Sequence, residues 1–300
     1  MRTPFTGCGT ALVTPFDSSG ALDEAAVRRL ARRQIEAGIH FLVPCGTTGE
    51  TPTLSAEERQ RVVELVVEEA AGEVPVLAGA GGYDTKGVVA AARAMEAAGA
   101  QGLLSVTPYY NKPTPEGLYR HYQAIAHATP LPIVVYNVPG RTGCNVTPET
   151  LIRLASISTV AAVKEASGNI NQISEVCRTV PADFIVLSGD DAMTLPAMAV
   201  GARGLISVAS NEVPAEMVQL VEAAEKGDYA DARERHQRLL PLLTANFAES
   251  NPIPVKTAMA QMGLLEEAFR LPMVPAKAET RERLARVLAE LGLRPEGAKQ

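Results

Sequence analysis

The sequence predicts an α/β fold, a (β/α)8 TIM barrel with a C-terminal helical extension. Three observations carry this. Short β-rich runs alternate with longer amphipathic stretches through residue 228, eight such runs can be counted, and beyond them the pattern is helical only. The runs are GTALVTP (9–15), HFLVPCG (40–46), VPVLAGA (74–80), GLLSVTP (102–108), PIVVYNV (132–138), VAAVKEA (160–166), FIVLSGD (184–190) and GLISVAS (204–210). Their Val, Ile and Leu content suits parallel strands packed within a barrel and covered outside by helices. Eight strands with no G-x-G-x-x-G after the first weigh against an open doubly wound sheet.

Between the strands, helix signals recur. Ser55-Ala-Glu-Glu58 reads as a capping box, while Thr114-Pro115 and Thr147-Pro148 place proline at the first helical position. Gly38, Gly72 and Gly99 close the helices they follow. The expected organisation is a barrel over 1–228 and a helical extension over 229–300, the latter a candidate oligomerisation element.

With 46% apolar and 21% charged residues the chain can bury a sizeable core. A net charge of −6 argues against a nucleic-acid or anionic-membrane surface, which would need clustered Lys and Arg, so a small-molecule partner is expected. The amino-terminal residues lack a signal-peptide core and no run of 18 apolar residues occurs, which makes the cytoplasm the expected location. Four cysteines without C-x-x-C spacing and four scattered histidines signal neither a disulfide framework nor a metal site.

Active sites of such barrels lie at the carboxyl ends of the strands. Of seven lysines, Lys164 alone falls inside an expected strand. Burial there disfavours the ammonium and yields a free amine able to attack a carbonyl. The structural alternative is a lysine that snorkels outward or pairs with Glu165 or Asp190. Tyr136 shares a strand face with Val134, one strand from Lys164, and is either a proton carrier or a core tyrosine. Thr47 and Thr48, between Gly46 and Gly49, are candidates for proton relay, for carboxylate binding or for simple turn formation. Arg141, in Pro-Gly-Arg-Thr-Gly, is placed to hold a carboxylate or is merely solvated. Tyr109 and Tyr110 form a loop pair suited to a buried or intersubunit contact. Gly189-Asp190-Asp191, after the seventh strand, is placed to present a backbone carbonyl to a ligand, and Asp191 reads preferentially as a helix N-cap. Lys256, outside the strands, reads as structural.

Together GTTGE, TPYYNKP, YNVPGRTG and the lysine in VKEASG resemble the dihydrodipicolinate synthase family, within the pyruvate-dependent Schiff-base aldolase superfamily that includes N-acetylneuraminate lyase. The resemblance spans nearly the whole chain. It implies that Lys164 condenses with pyruvate, that the derived enamine attacks the aldehyde of L-aspartate 4-semialdehyde, and that cyclisation expels the lysine as 4-hydroxy-tetrahydrodipicolinate, toward diaminopimelate and lysine. It further implies a proton relay of Tyr136, Thr47 or Thr48, and Tyr110 from a neighbouring subunit, with Thr48 also on the pyruvate carboxylate. Arg141 would clamp the semialdehyde carboxylate, and Gly189 and Ile206 would line the keto-acid pocket. No cofactor or metal is implied beyond the covalent imine, and the assembly implied is a homotetramer made of two tight dimers. The positions that match a lysine-effector site in sensitive members are Ala56, Arg59, Tyr83 and Gly87, so feedback by lysine is expected to be weak or absent.

The nearest rival function is a lyase acting on N-acetylneuraminate or a 2-keto-3-deoxy sugar acid through the same imine, against which PGRTG speaks. A silent keto-acid-binding barrel conflicts with the intact lysine, tyrosine and threonine set. A metal-dependent aldolase lacks a His and carboxylate cluster.

Overall fold

The computed structural model describes residues 3–293, so the last seven residues of the expected extension, 294–300, lie outside the described residues. The described residues form eight parallel strands and twelve α-helices. The strands are β1 (Gly7–Ala11), β2 (Phe41–Val43), β3 (Leu77–Gly79), β4 (Gly102–Val106), β5 (Ile133–Asn137), β6 (Val160–Glu165), β7 (Ile185–Ser188) and β8 (Gly204–Ser207). They are ordered β2-β1-β8-β7-β6-β5-β4-β3, and a parallel bridge between Leu42 and Val76 joins the two ends, closing the barrel. Every expected strand is present, mostly trimmed. The first departs most: its ladder starts at Gly7, two residues before the expected run, and ends at Ala11. Apolar runs mark burial, whereas a ladder ends where its hydrogen-bond partners end.

Alternation within each strand sorts side chains into two cores. Phe5, Phe41, Leu77, Val134, Ala162 and Ile206 lie inside the barrel, while Leu42, Leu103, Val135, Val163 and Leu205 face the helices. Phe5 and Phe41 meet edge to face with ring centroids 5.5 Å apart near the amino-terminal end. Tyr136 and Lys164 lie one inward position beyond Val134 and Ala162, toward the carboxyl end.

Ser55 and Glu58 form the reciprocal capping box of α2 (Ala56–Ala70), and Thr114 and Thr147 cap α4 (Pro115–Ala126) and α6 (Pro148–Ala155). The extension consists of α10 (Tyr229–Ala245), α11 (Ile253–Gln261) and α12 (Ala278–Glu290). Among the described residues no helix is long and apolar enough to cross a membrane.

Gly204 opens β8 with φ of 131°, and a Cβ built there would stand 1.9 Å from the Gly7 carbonyl oxygen on the paired strand. Both the backbone conformation and the strand contact exclude a side chain. Gly204→Ala is expected to cost about 3 kcal/mol, read as a Tm lowered by several degrees in thermal unfolding; an unchanged Tm would contradict the close β1–β8 approach.

Candidate active site

Lys164 sits on β6 opposite Tyr136 of β5 and Leu187 of β7, with only 4% of its surface exposed. Its neighbours on the inner face are Ala162 and Ala166, small residues that leave room for the long side chain. The amine stands 4.3 Å from the centre of the Tyr136 ring. Neither expected ion-pair partner holds it: Glu165 accepts hydrogen bonds from Asn137 and from the Ser167 backbone, and Asp190 from the Ala192 backbone. Across the strand ends, Gly189 keeps space open, since a Cβ there would lie 2.7 Å from Ala166 Cβ and 3.1 Å from Lys164 Cε.

Burial lowers the Lys164 pKa from 10.5 to about 8; the carboxylate of Asp191 opposes that shift and the Arg141 cation adds to it. Lowering from 10.5 to 8 raises the neutral fraction at pH 7 by roughly 300-fold over an ordinary lysine. Attack on a carbonyl by this amine is therefore expected to accelerate about tenfold per pH unit up to about 8 and to level off above it. Single-turnover imine trapping across pH 6–11 checks this; a limb that continues to 10.5 would contradict a desolvated amine.

Tyr136 is buried and its phenol pKa is raised, first by loss of solvent, while the Arg141 charge and the nearby Thr47 side chain pull it down. Thr47 lies on a single 3₁₀ turn, Thr47–Gly49, that follows β2. In the same turn Thr48 is buried, and its Oγ1 accepts a hydrogen bond of 3.0 Å from Asn251 Nδ2. The Thr48 hydroxyl proton is thus left available to an anionic ligand. Arg141 stands on a four-residue helix, α5 (Pro139–Thr142), opened by Pro139 and closed by Gly143 in the left-handed region. Its Nη2 donates to the Asn251 carbonyl at 3.3 Å.

Two cavities meet at these residues. One of about 120 Å³ holds Lys164, with Thr48, Gly189, Asp190, Val208 and Phe247 among its walls. The other, of about 330 Å³, is walled by Gly46, Arg59, Leu104, Tyr109 and Met273, among others. Thr47, Tyr136, Val138, Arg141 and Asn251 line both. The walls of the larger cavity do not include Lys164; those of the smaller one do.

Six of the eight residues singled out from the sequence, Lys164, Tyr136, Thr47, Thr48, Arg141 and Gly189, thus share the wall of the smaller cavity. Ile206 lies in the barrel interior with Tyr136 in the same apolar cluster, and Val208 takes the cavity wall above it. Tyr110 stands apart, 90% exposed and outside both cavity walls, while Tyr109 packs edge to face on Tyr83 with centroids 5.2 Å apart.

The N-cap reading of Asp191 is incorrect. Helix α8 (Thr194–Ala199) has no side-chain cap, and the buried Asp191 carboxylate instead accepts from Ser207 Oγ and from the Val208 and Ala209 backbone N–H groups. A partner 16 residues away, across the end of the barrel, outcompetes the local turn. Asn251 is the residue that sequence reasoning missed; it arrives from the extension, and no pattern near the strands announces it.

Among the described residues no group of three or more His, Cys, Asp or Glu is arranged to hold a metal ion. A buried, partly neutral amine at the carboxyl end of a (β/α)8 barrel, against a tyrosine and a threonine, defines the class of Schiff-base lyases of the aldolase type.

The chain belongs to the dihydrodipicolinate synthetase family, whose family model matches residues 4–291. It is 54% identical over 288 residues to the 4-hydroxy-tetrahydrodipicolinate synthase of Koribacter versatilis (strain Ellin345), covering 96% of each chain. It is 51% identical over 295 residues to that of Chlorobium chlorochromatii (strain CaD3), covering 98% of this chain and all of the other. The crystal structure of dihydrodipicolinate synthase from Thermotoga maritima superposes with a TM-score of 0.95 at 46% identity, covering 97% of this chain and 100% of that one.

Proposed function

We propose that this chain is a 4-hydroxy-tetrahydrodipicolinate synthase that condenses pyruvate with L-aspartate 4-semialdehyde. The observation that carries the reading is Lys164, desolvated in the smaller cavity against Tyr136, with Thr47 on the same cavity wall. The neutral amine attacks C2 of pyruvate, and loss of water gives the imine. The imine draws electrons from C3, which gives up a proton and becomes the nucleophilic enamine carbon. That carbon forms the new C–C bond with the aldehyde, and the acceptor's amino group then attacks C2, closing the ring and releasing Lys164. The imine is itself the electron sink, so this sequence requires no cofactor.

Tyr136 and Thr47 are the proton relay in this reading, and Tyr110 of the partner subunit extends it toward solvent. The exposure of Tyr110 in the single chain supports that role. Thr48 donates to the pyruvate carboxylate, Arg141 holds the carboxylate of the semialdehyde, Gly189 supplies clearance beside Lys164, and Ile206 supports the pocket floor. The assembly proposed is a homotetramer of two dimers, with residues 1–228 as the catalytic barrel and a cytoplasmic location. Its four cysteines are free thiols, as a reducing compartment requires.

The test is acceptor choice. Product formation from pyruvate with L-aspartate 4-semialdehyde is expected to exceed that with N-acetylmannosamine or glyceraldehyde by at least about 100-fold in kcat/KM, because a sugar aldehyde leaves the Arg141 cation unpaired. The opposite preference would favour the sugar-acid lyase.

Lysine is expected to inhibit weakly or not at all. The four matching positions carry a methyl group at Ala56, a cation at Arg59, an exposed phenol at Tyr83 and no side chain at Gly87. None of them supplies a carboxylate to an ammonium. Titration of initial rate with L-lysine checks this, and strong inhibition below millimolar concentration would contradict it.

A further inference from the structure

The turn that carries Thr47 and Thr48 is tied from behind by an ion pair that the reaction does not use. Glu50 follows it in the left-handed region, with φ of 50° and ψ of 33°, an uncommon conformation for a residue with a side chain, and joins it to a second 3₁₀ turn at Thr51–Thr53. Its carboxylate is buried. Oε1 accepts from Lys256 Nζ at 2.6 Å and Oε2 from the Arg270 backbone N–H at 3.3 Å. The Lys256 ammonium is fully enclosed and uses its other two protons on the carbonyls of Thr14, at 3.1 Å, and Ala268, at 2.6 Å. Phe16 and Phe269 present ring faces to it at 4.5 and 4.9 Å.

We propose that the Glu50–Lys256 pair is a positioning device for the catalytic turn, through which the C-terminal extension sets where Thr47 and Thr48 stand. The proposal rests on the synthase reading above and goes beyond it by giving the extension a part in the chemistry. Two features favour positioning over bulk stability. A buried ion pair adds little net stability, because desolvating both charges offsets their attraction, but it does enforce one geometry. In addition, the charges sit on the catalytic turn and on the helix that follows Asn251, so the extension grips that turn both at Thr48 and at Glu50. Lys256 lines neither cavity, and Glu50 is a wall of the larger one only and not of the smaller one that holds Lys164, so both are positioning residues. A displacement of the Thr47 hydroxyl by about 1 Å is enough to cost a relay much of its rate.

Glu50→Gln separates the two roles. The amide keeps the shape but offers one acceptor and one donor where two acceptors are needed, so either Lys256 or the Arg270 N–H meets a donor. Four quantities are measured on the full chain: borohydride-trapped pyruvyl imine at saturating pyruvate, exchange of the pyruvate C3 protons into deuterated water, kcat with both substrates, and Tm. Expected in Glu50→Gln is full trapping at saturation, with C3 exchange and kcat both reduced about tenfold or more per folded molecule. Ile125→Ala, buried in α4 of the barrel and away from the extension, serves as a purely structural control whose lowered Tm leaves exchange per folded molecule unchanged. Wild-type exchange in Glu50→Gln, or an equal loss in Ile125→Ala, would overturn the positioning role while leaving the synthase reading intact. Failure of the wild type to form an imine would overturn both.

Discussion

Lys164→Ala is expected to reduce kcat/KM by roughly 10³-fold or more while leaving the fold in place. The reaction as proposed passes through a covalent bond to this one amine, and no other group in the smaller cavity is an amine. Lys256, the other buried lysine among the described residues, is committed to three oxygen acceptors and cannot stand in. Removing Lys164 deletes a buried group that makes no ion pair with its neighbours Glu165 and Asp190, so the variant should retain the wild-type circular dichroism spectrum and a Tm no lower than a few degrees below it. Turnover measured with both substrates checks the claim. A variant that stays within tenfold of wild type would show that the amine is not the nucleophile.

Tyr136→Phe carries the second largest expected effect, a loss of about 100-fold or more in kcat. The change keeps the ring that packs in the barrel interior and over Lys164, and removes only the hydroxyl that meets Thr47. The KM for pyruvate should move little, because Thr48 and its Asn251 partner are untouched. That split assigns the phenol to proton movement in the transition state and not to uniform binding. A rise in KM at constant kcat would instead make Tyr136 a wall of the pocket.

The barrel was legible because its strands are continuous apolar runs separated by helix caps that act locally. Ser55 with Glu58, Thr114 before Pro115 and Thr147 before Pro148 need no knowledge of the rest of the chain, and all three caps form. Lys164 was legible for a related reason, as a charge inside an apolar strand demands an explanation. What the sequence hid depends on contacts between distant residues. Asp191 follows Gly189 and Asp190 much as a helix cap would, yet it turns to Ser207 and the backbone beyond β8. Asn251 meets Thr48 across 203 residues, and no local period encodes that meeting. The short helix at Pro139–Thr142 follows directly from Pro139 and Gly143, but the direction in which it aims Arg141 is set by the Asn251 carbonyl. Nor did the sequence reading of the extension, an oligomerisation element, foresee that its α11 end reaches Thr48 through Asn251 and Glu50 through Lys256.

The central claim is a covalent one, and borohydride reduction in the presence of pyruvate tests it most directly. Reduction converts an imine to a stable secondary amine, which intact mass and peptide mapping then locate. The account predicts one pyruvyl adduct per chain, on Lys164 alone. A folded protein that forms no adduct, or that carries it on Lys256 or a surface lysine, would contradict the assignment of this site.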